Sequence, residues 1–326
     1  MRRLLRTAPL AAAAALLLAA CGTTEPAADE KPKASAEPIT LTDASGAKVE
    51  LDGPAKKVVG TEWNVVEHLI SLGVEPVGVA DVKGYKTWDS AVPLTDDAKD
   101  IGTRGEPSVD TIAALDPDLI VATTDLQPNA VKQLRKIAPV LQVKSADASD
   151  PVGRMLENVD LIAKATGTTE QAATLEKNFD AKLAEGAKAL DAAGLKGARI
   201  AFADGYVASN QVSVRPYTSG SLIGGVNERL GLKNAWKVEG DPAYGLGSTD
   251  VEGLSGLGEA QFVYIGNKQD AASDPFGKEL AKNSVWTSLP FVKSGDVHRL
   301  DDGIWMFGGT GSMERYVDSL VAALTK

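Results

Sequence analysis

Apolar and polar residues alternate with a period of two in Ile39–Thr42 and again in Lys48–Leu51, on either side of a turn-forming Asp43, Ala44, Ser45 and Gly46. That pattern predicts a β-hairpin. Short apolar runs at 57–60, 76–79 and 118–122 predict buried strands, and residues 64–72, 108–115 and 129–137 carry helical spacing between and after them. Gly73 is a stop for the first of these helices and Ser108 an N-cap for the second. Residues 151–193 carry no strand signal and no proline beyond Pro151, and the run Gly167, Thr168, Thr169, Glu170 marks a break and a restart. Residues 169–193, if fully helical, span roughly 37 Å at about 1.5 Å per residue. This is too long for a surface helix of one lobe and suits a rigid connector. Strands then return at 199–203, 261–265 and 297–300, with helices at 219–230, 277–283 and 311–325. Strands alternating with helices predict parallel sheets. The predicted fold is α/β, two α/β lobes joined by a single long helix, with an N-terminal lobe at 39–150, a helical connector at 151–194 and a C-terminal lobe at 195–326. No repeat of solenoid period is present.

The first 20 residues have a different pattern. Arg2, Arg3 and Arg6 precede an Ala-rich apolar stretch at 8–20, which is too short and too alanine-rich for a stable membrane span and predicts a signal peptide at 1–20. It ends Leu18, Ala19, Ala20, Cys21, Gly22, which resembles a bacterial lipidation box with Cys21 as the acylated first residue. Residues 21–38 are small, charged and Pro-rich, a flexible tether. The expected location is the cell membrane, lipid-anchored on the extracytoplasmic face, with the membrane reached through the anchor only.

With 326 residues and 44% hydrophobic content the chain has globular composition. A formal charge of −10, or −13 once the three leader arginines are gone, disfavours a nucleic-acid partner. A single cysteine excludes an intramolecular disulfide and cysteine-based metal clusters. Of the two histidines, His68 falls inside a helix and His298 in a strand, and both read as structural. No Gly-x-Ser-x-Gly, His-Glu-x-x-His or Gly-x-x-x-x-Gly-Lys motif occurs. The reading is therefore a protein with no catalytic residues, no metal site and no cofactor.

Four segments carry a family resemblance: VVGTEWNVVEHLISLGVEPVGVAD at 58–81, IGTRGEPSVDTIAALDPDLIVA at 101–122, YGLGSTDVEGLSGLGEAQFVYIG at 244–266 and IWMFGGTGSMERYVDSL at 304–320. They resemble the helical-backbone, periplasmic-binding-protein-like family of bacterial ABC importers, specifically its ferric-siderophore group, over nearly all of the chain after residue 38. The resemblance implies a ligand cleft between the lobes, small hinge motion, and a ferric siderophore delivered to an ABC permease dimer by a monomeric binding protein. It places Arg104 at the position of a ligand-contacting arginine of hydroxamate binders; the competing reading of Arg104 is a surface ion pair with Glu106. It also implies one acidic docking residue on each lobe. These match Asp110, one methylene shorter than the usual glutamate, and Glu252, each in the first turn of an expected helix, where the helix dipole also favours an acid.

A siderophore satisfies its own iron, so the protein needs Arg and Tyr donors and aromatic walls. Trp63 follows the first strand at the ligand-binding end of a parallel sheet. Tyr85 and Trp88 are expected in a polar loop at the cleft rim. Thirteen of the 17 aromatic residues lie after residue 200, which points to the second lobe as the main source of the wall. Phe202, Phe262 and Tyr264 read as strand packing. Tyr206, Arg215, Tyr217, Tyr244, Trp305 and Phe307 fall at strand ends or in loops and are ligand-binding candidates, with Gly308 and Gly309 allowing close backbone approach. Trp236 is open between cleft and core. The alternatives are the same transport role with haem or a corrinoid as cargo, for which Tyr206, Tyr217 or Tyr244 offers an axial ligand to haem, and a secreted enzyme or an adhesin.

Overall fold

The computed structural model describes residues 37–95, 97–208 and 211–326; the expected signal peptide, Cys21 and nearly all of the tether lie outside them. The chain opens with the hairpin β1 (Ile39–Thr42) and β2 (Lys48–Leu51), paired antiparallel from Ile39 opposite Leu51 to Thr42 opposite Lys48. The Asp43 carboxylate closes the turn by accepting from the Ser45 and Ala47 amides, both at 2.9 Å.

The first lobe follows: β3 (Val58–Gly60), α1 (Trp63–Ser71), β4 (Gly78–Val79), α2 (Val82–Trp88), β5 (Lys99–Asp100), α3 (Val109–Leu115), β6 (Leu119–Thr123), α4 (Pro128–Leu134) and β7 (Val140–Val143). Its strands form one parallel sheet in the order β5-β4-β3-β6-β7. The central strands are buried along their length, as expected of a parallel sheet with both faces covered. Ser108 caps α3 by accepting from the Thr111 amide at 3.3 Å. Gly78 cannot be replaced cheaply: a Cβ there would lie 2.7 Å from Leu115 and 2.9 Å from Ile101.

Two helices then lead to the second lobe. In α5 (Pro151–Thr166), Asp150 caps the start by accepting from the Gly153 amide at 3.0 Å, and Gly167, at φ 72°, stops it in the left-handed region. The 24-residue α6 (Thr169–Ala192) restarts at once. Val159, Ile162 and Ala163 of α5 and Ala172 of α6 belong to the first-lobe core. Val152 and Met155 of α5, with Phe179, Leu183 and Leu190 of α6, belong to the second-lobe core. The pair is packed into both lobes rather than suspended between them, so it resists relative motion of the two.

The second lobe comprises β8 (Arg199–Ala208), β9 (Gln211–Pro216), α7 (Leu222–Arg229), β10 (Lys233–Asn234), β11 (Gln261–Tyr264), α8 (Ser284–Ser288), α9 (Pro290–Ser294), β12 (Val297–Arg299) and α10 (Thr310–Leu324). Strands β10-β8-β11-β12 are parallel, and β9 turns back antiparallel on β8. Among the described residues no helix is long and apolar enough to cross a membrane.

Three local expectations are corrected. Tyr85 and Trp88 are in α2, not in a loop, because Asp81 accepts from the Gly84 amide at 3.0 Å and starts a helix there. Residues 277–283 do not form an α-helix; only the 3₁₀ turn Glu279–Lys282 forms, without a side-chain cap, before Asn283 caps α8. Residues 211–216 make a strand, which places Arg215 within a sheet and directly opposite Asp204.

Candidate functional site

In the first sheet the order reverses at β3, whose neighbours β4 and β6 lie on opposite sides. The loop leaving β3 therefore opens at a switch point, the usual ligand position of such sheets. That loop carries Glu62 and leads directly into Trp63 and Asn64 of α1. The second sheet reverses likewise at β8 and β11, and Asp204 and Tyr206 lie at the far end of β8. Between these ends lie two adjoining cavities of about 320 and 360 Å³, sharing Arg104, Arg215 and Trp305.

An aromatic seam joins the lobes at the floor. Trp305 sits edge-on to Trp63 with ring centroids 4.7 Å apart, Phe307 lies 5.2 Å from Trp305, and Tyr244 lies 5.6 Å from Phe307. The Trp63 indole donates to the Ala80 carbonyl at 3.1 Å, which locks its ring. Trp63 and Trp305 are 4% and 9% exposed, so only their cavity-facing edges are open. Trp88 and the half-exposed Tyr206 line the larger cavity.

Each lobe contributes one arginine, and each arginine is paired. The Arg104 guanidinium carbon lies 4.2 Å over the Trp63 ring and 5.2 Å from the centre of Trp305. Its Nε is 2.7 Å from Glu62 Oε1 in an ion pair, so the partner is Glu62 and not Glu106. Burial raises the Glu62 carboxyl, and the Arg104 charge pulls it back. Arg215 donates through Nε to Asp204 Oδ1 at 2.8 Å and through Nη2 to Asp204 Oδ2, a fork set up by the cross-strand register. Tyr217 completes this group: its hydroxyl donates to Asp204 at 3.1 Å. Burial first, and then the Asp204 charge, raise that hydroxyl, so it stays protonated. The ring itself is fully buried, so Tyr217 is a support beneath the site rather than a wall.

Tyr85 is corrected outright. It is fully buried in the first lobe, donates to the Val92 carbonyl at 2.8 Å and touches neither cavity. Trp236 donates to the Phe202 carbonyl at 2.8 Å and packs with the second-lobe core. Tyr244 donates to Asp125 across the lobes, and burial, followed by that hydrogen bond and then the Asp125 charge, raises its hydroxyl. Asp110 and Glu252 are exposed at the starts of α3 and of the 3₁₀ helix Glu252–Leu257.

Sequence reasoning missed Glu62, Asp204, Asn64 and Ser145. The last two line both the smaller cavity and a neighbouring pocket of about 30 Å³ that contains His68. Burial takes His68 down to about 4, leaving it neutral at ordinary pH. Among the described residues no three His, Cys, Asp or Glu side chains converge as metal ligands. Among the described residues, the charged lining of both cavities is two arginines and three carboxylates (Glu62, Asp204 and Asp270), with no lysine.

Comparison with known proteins adds context to this geometry. The periplasmic binding protein family model matches residues 58–303. The Fe(3+)-citrate-binding protein YfmC of Bacillus subtilis is 28% identical over 92% of this chain and 90% of its own length. The iron(3+)-hydroxamate-binding protein FhuD of Escherichia coli is 25% identical over 82% of this chain and 86% of its own. Among solved structures, the Fe3+-Desferal-bound siderophore-binding protein FhuD of Vibrio cholerae superposes with a TM-score of 0.73 at 25% identity, covering 83% of this chain and 98% of that one.

Proposed function

The chain belongs to the periplasmic binding protein family, and we propose that it captures a ferric siderophore of hydroxamate type outside the cytoplasm and hands it to an ABC permease. It acts as a carrier and performs no chemistry on its cargo. The single observation that carries the hydroxamate reading is the charge of the cleft. Both arginines are already matched by carboxylates, and Asp270 leaves a net negative lining. Three hydroxamates cancel the charge of iron(III), giving a neutral core. Three catecholates, or citrate, leave the chelate strongly anionic, and a site built for these would present unpaired cations. Arg104 spends only Nε on Glu62, and its two terminal nitrogens have no protein partner among the described residues. They are free to donate to the chelate oxygens, while Trp305, Phe307, Trp88 and Tyr206 enclose the apolar arms.

The deciding experiment is a tryptophan-fluorescence titration of the protein against ferric trihydroxamates, tricatecholates and ferric citrate, with haem and cobalamin as controls. Trihydroxamates should bind at least tenfold more tightly, on the order of 1.4 kcal/mol. Tighter binding of the tricatecholate would refute the charge argument.

Anchoring through a lipidated Cys21 is part of the same proposal, supported by the residue pattern before it. In that case Cys21→Ser releases the protein from the membrane fraction with ligand affinity unchanged. A signal-cleaved serine variant that stays in the membrane fraction refutes the anchor.

A further inference from the structure

Behind the aromatic seam lies a pair of acids that ligand contact does not use. Glu67 on α1 and Asp89 just after α2 are both wholly buried, and Ser312 at the start of α10 donates to both. One oxygen of each meets a donor from the second lobe: the Ser312 amide donates to Glu67 Oε1 at 2.8 Å, and the Ser312 hydroxyl to Asp89 Oδ1 at 3.2 Å. The remaining oxygens, Glu67 Oε2 and Asp89 Oδ2, are buried and have no hydrogen-bond partner among the described residues. Two buried acids held by one serine, each with an orphaned oxygen, are not sustained as two adjacent charges, and a proton between them satisfies both oxygens.

The pair also connects to the cleft. The Trp305 amide donates to Ser312 Oγ at 3.3 Å, so Ser312 links the acids to the backbone of the wall. The loop that follows Trp305 lies flush on Glu67 and His68. A Cβ on Gly308 would stand 2.2 Å from Glu67 Oε2, and one on Gly309 would stand 2.7 Å from His68 Nδ1. These glycines admit Glu67 and His68 rather than a ligand.

We propose that Glu67 and Asp89 share one proton and act through Ser312 as positioning residues that hold the Trp305–Phe307 wall against the first lobe. Glu67, which accepts the Ser312 backbone N–H in the first turn of α10, is the anion. Asp89 carries the proton and donates it to Glu67. Burial drives both carboxyls upward, and the charge of Glu67 drives Asp89 further. The titratable and charged groups around the pair are His68 of α1, neutral through burial, Tyr85 of α2, Glu75 beyond α1, Arg104, whose charge opposes the rise of Asp89, and Glu314 of α10. The consequence for ligand capture rests on the reading of the cleft given above; the proton and the tie do not.

The test compares the wild type with Asp89→Asn, whose amide donates to Glu67 without a titratable proton. A proton held by the folded protein and lost on unfolding favours the folded state most at low pH. The unfolding constant of the wild type, relative to Asp89→Asn, should therefore rise as the pH climbs above the ordinary carboxylate range, by up to about tenfold per pH unit for one proton. Other groups titrate alike in the two proteins and cancel. Parallel pH profiles overturn the shared proton. The tie to the wall is read without ligand, from acrylamide quenching of the fluorescence assigned to Trp305 by comparison with Trp305→Phe. Ser312→Ala should raise that quenching at least twofold while keeping the wild-type pH profile. Unchanged quenching overturns the positioning role. Failure of every siderophore to bind would refute the proposed function and leave both of these readouts intact.

Discussion

At the scale of single residues, Arg104 shows how a site can be visible in a sequence while its electrostatics are not. The run Gly102, Thr103, Arg104, Gly105, Glu106, Pro107 singles out the arginine and offers Glu106 as its neighbour. The fold instead brings in Glu62 from the preceding switch-point loop. Arg104→Ala should weaken trihydroxamate binding about 10–150-fold, the value of one charge-assisted hydrogen bond of about 1.5–3 kcal/mol; an unchanged affinity in a fluorescence titration removes it from the site. Glu62→Gln should act differently. It leaves Arg104 in place over Trp63 but removes its counter-charge, so the ratio of tricatecholate to trihydroxamate affinity should rise at least about tenfold. If the ratio stays constant, Glu62 does not set the charge preference.

At the scale of elements, α6 sets two physical effects against each other at one position. Gly186 lies mid-helix, where alanine ought to be better by about 1 kcal/mol. Its Cα, however, faces α10 and the end of α7 so closely that a Cβ would stand 2.6 Å from Val317 and 2.9 Å from Leu230. Val317 and Leu230 are themselves buried and have little room to retreat, and overpacking of this kind costs about 1–3 kcal/mol. Packing should win, so Gly186→Ala lowers the melting temperature by roughly 2 °C, measured by thermal unfolding. A rise in melting temperature would show that α10 gives way. The helical period of α6 is legible in its sequence, whereas the need for glycine at this turn follows only from the helices packed against it.

At the scale of the whole molecule, several ties cross between the lobes besides the aromatic seam. Asn267 donates to the Thr87 carbonyl at 2.8 Å, the Ala91 amide to the Gly303 carbonyl at 2.9 Å, and Tyr244 to Asp125. Such a body presents both lobes to a partner in nearly fixed relation, which suits the docking across two permease subunits that the family resemblance implies. Asp110 and Glu252 are the residues proposed for that contact. For Glu252 the competing role as a helix-start charge is weak, because the element it begins is a six-residue 3₁₀ helix with little dipole to complement. Asp110→Ala with Glu252→Ala should impair iron uptake in cells while ligand affinity stays normal and stability falls by no more than about 1 kcal/mol per site. Normal uptake in the double variant places docking elsewhere.

The alternation of strand and helix signals, the proline-free stretch after Pro151 and the break at Gly167 were enough to read two α/β lobes and a long helix, because each depends on local periodicity and backbone propensity. Trp305 and Phe307 were legible as site candidates for the same reason, loops at strand ends being local features too, whereas Arg104 was singled out by the family resemblance of its segment. What tertiary structure alone decided is which groups meet. Tyr85, a loop aromatic by sequence, became core because Asp81 starts a helix that turns it inward. Arg215 met Asp204 through the register of an antiparallel strand that had no clear signal. Glu62 came to Arg104, and Glu67 and Asp89 to Ser312, from distant parts of the chain. Pairing of charges and sharing of protons depend on distance and burial across the fold, and neither is encoded in the spacing of residues along one segment.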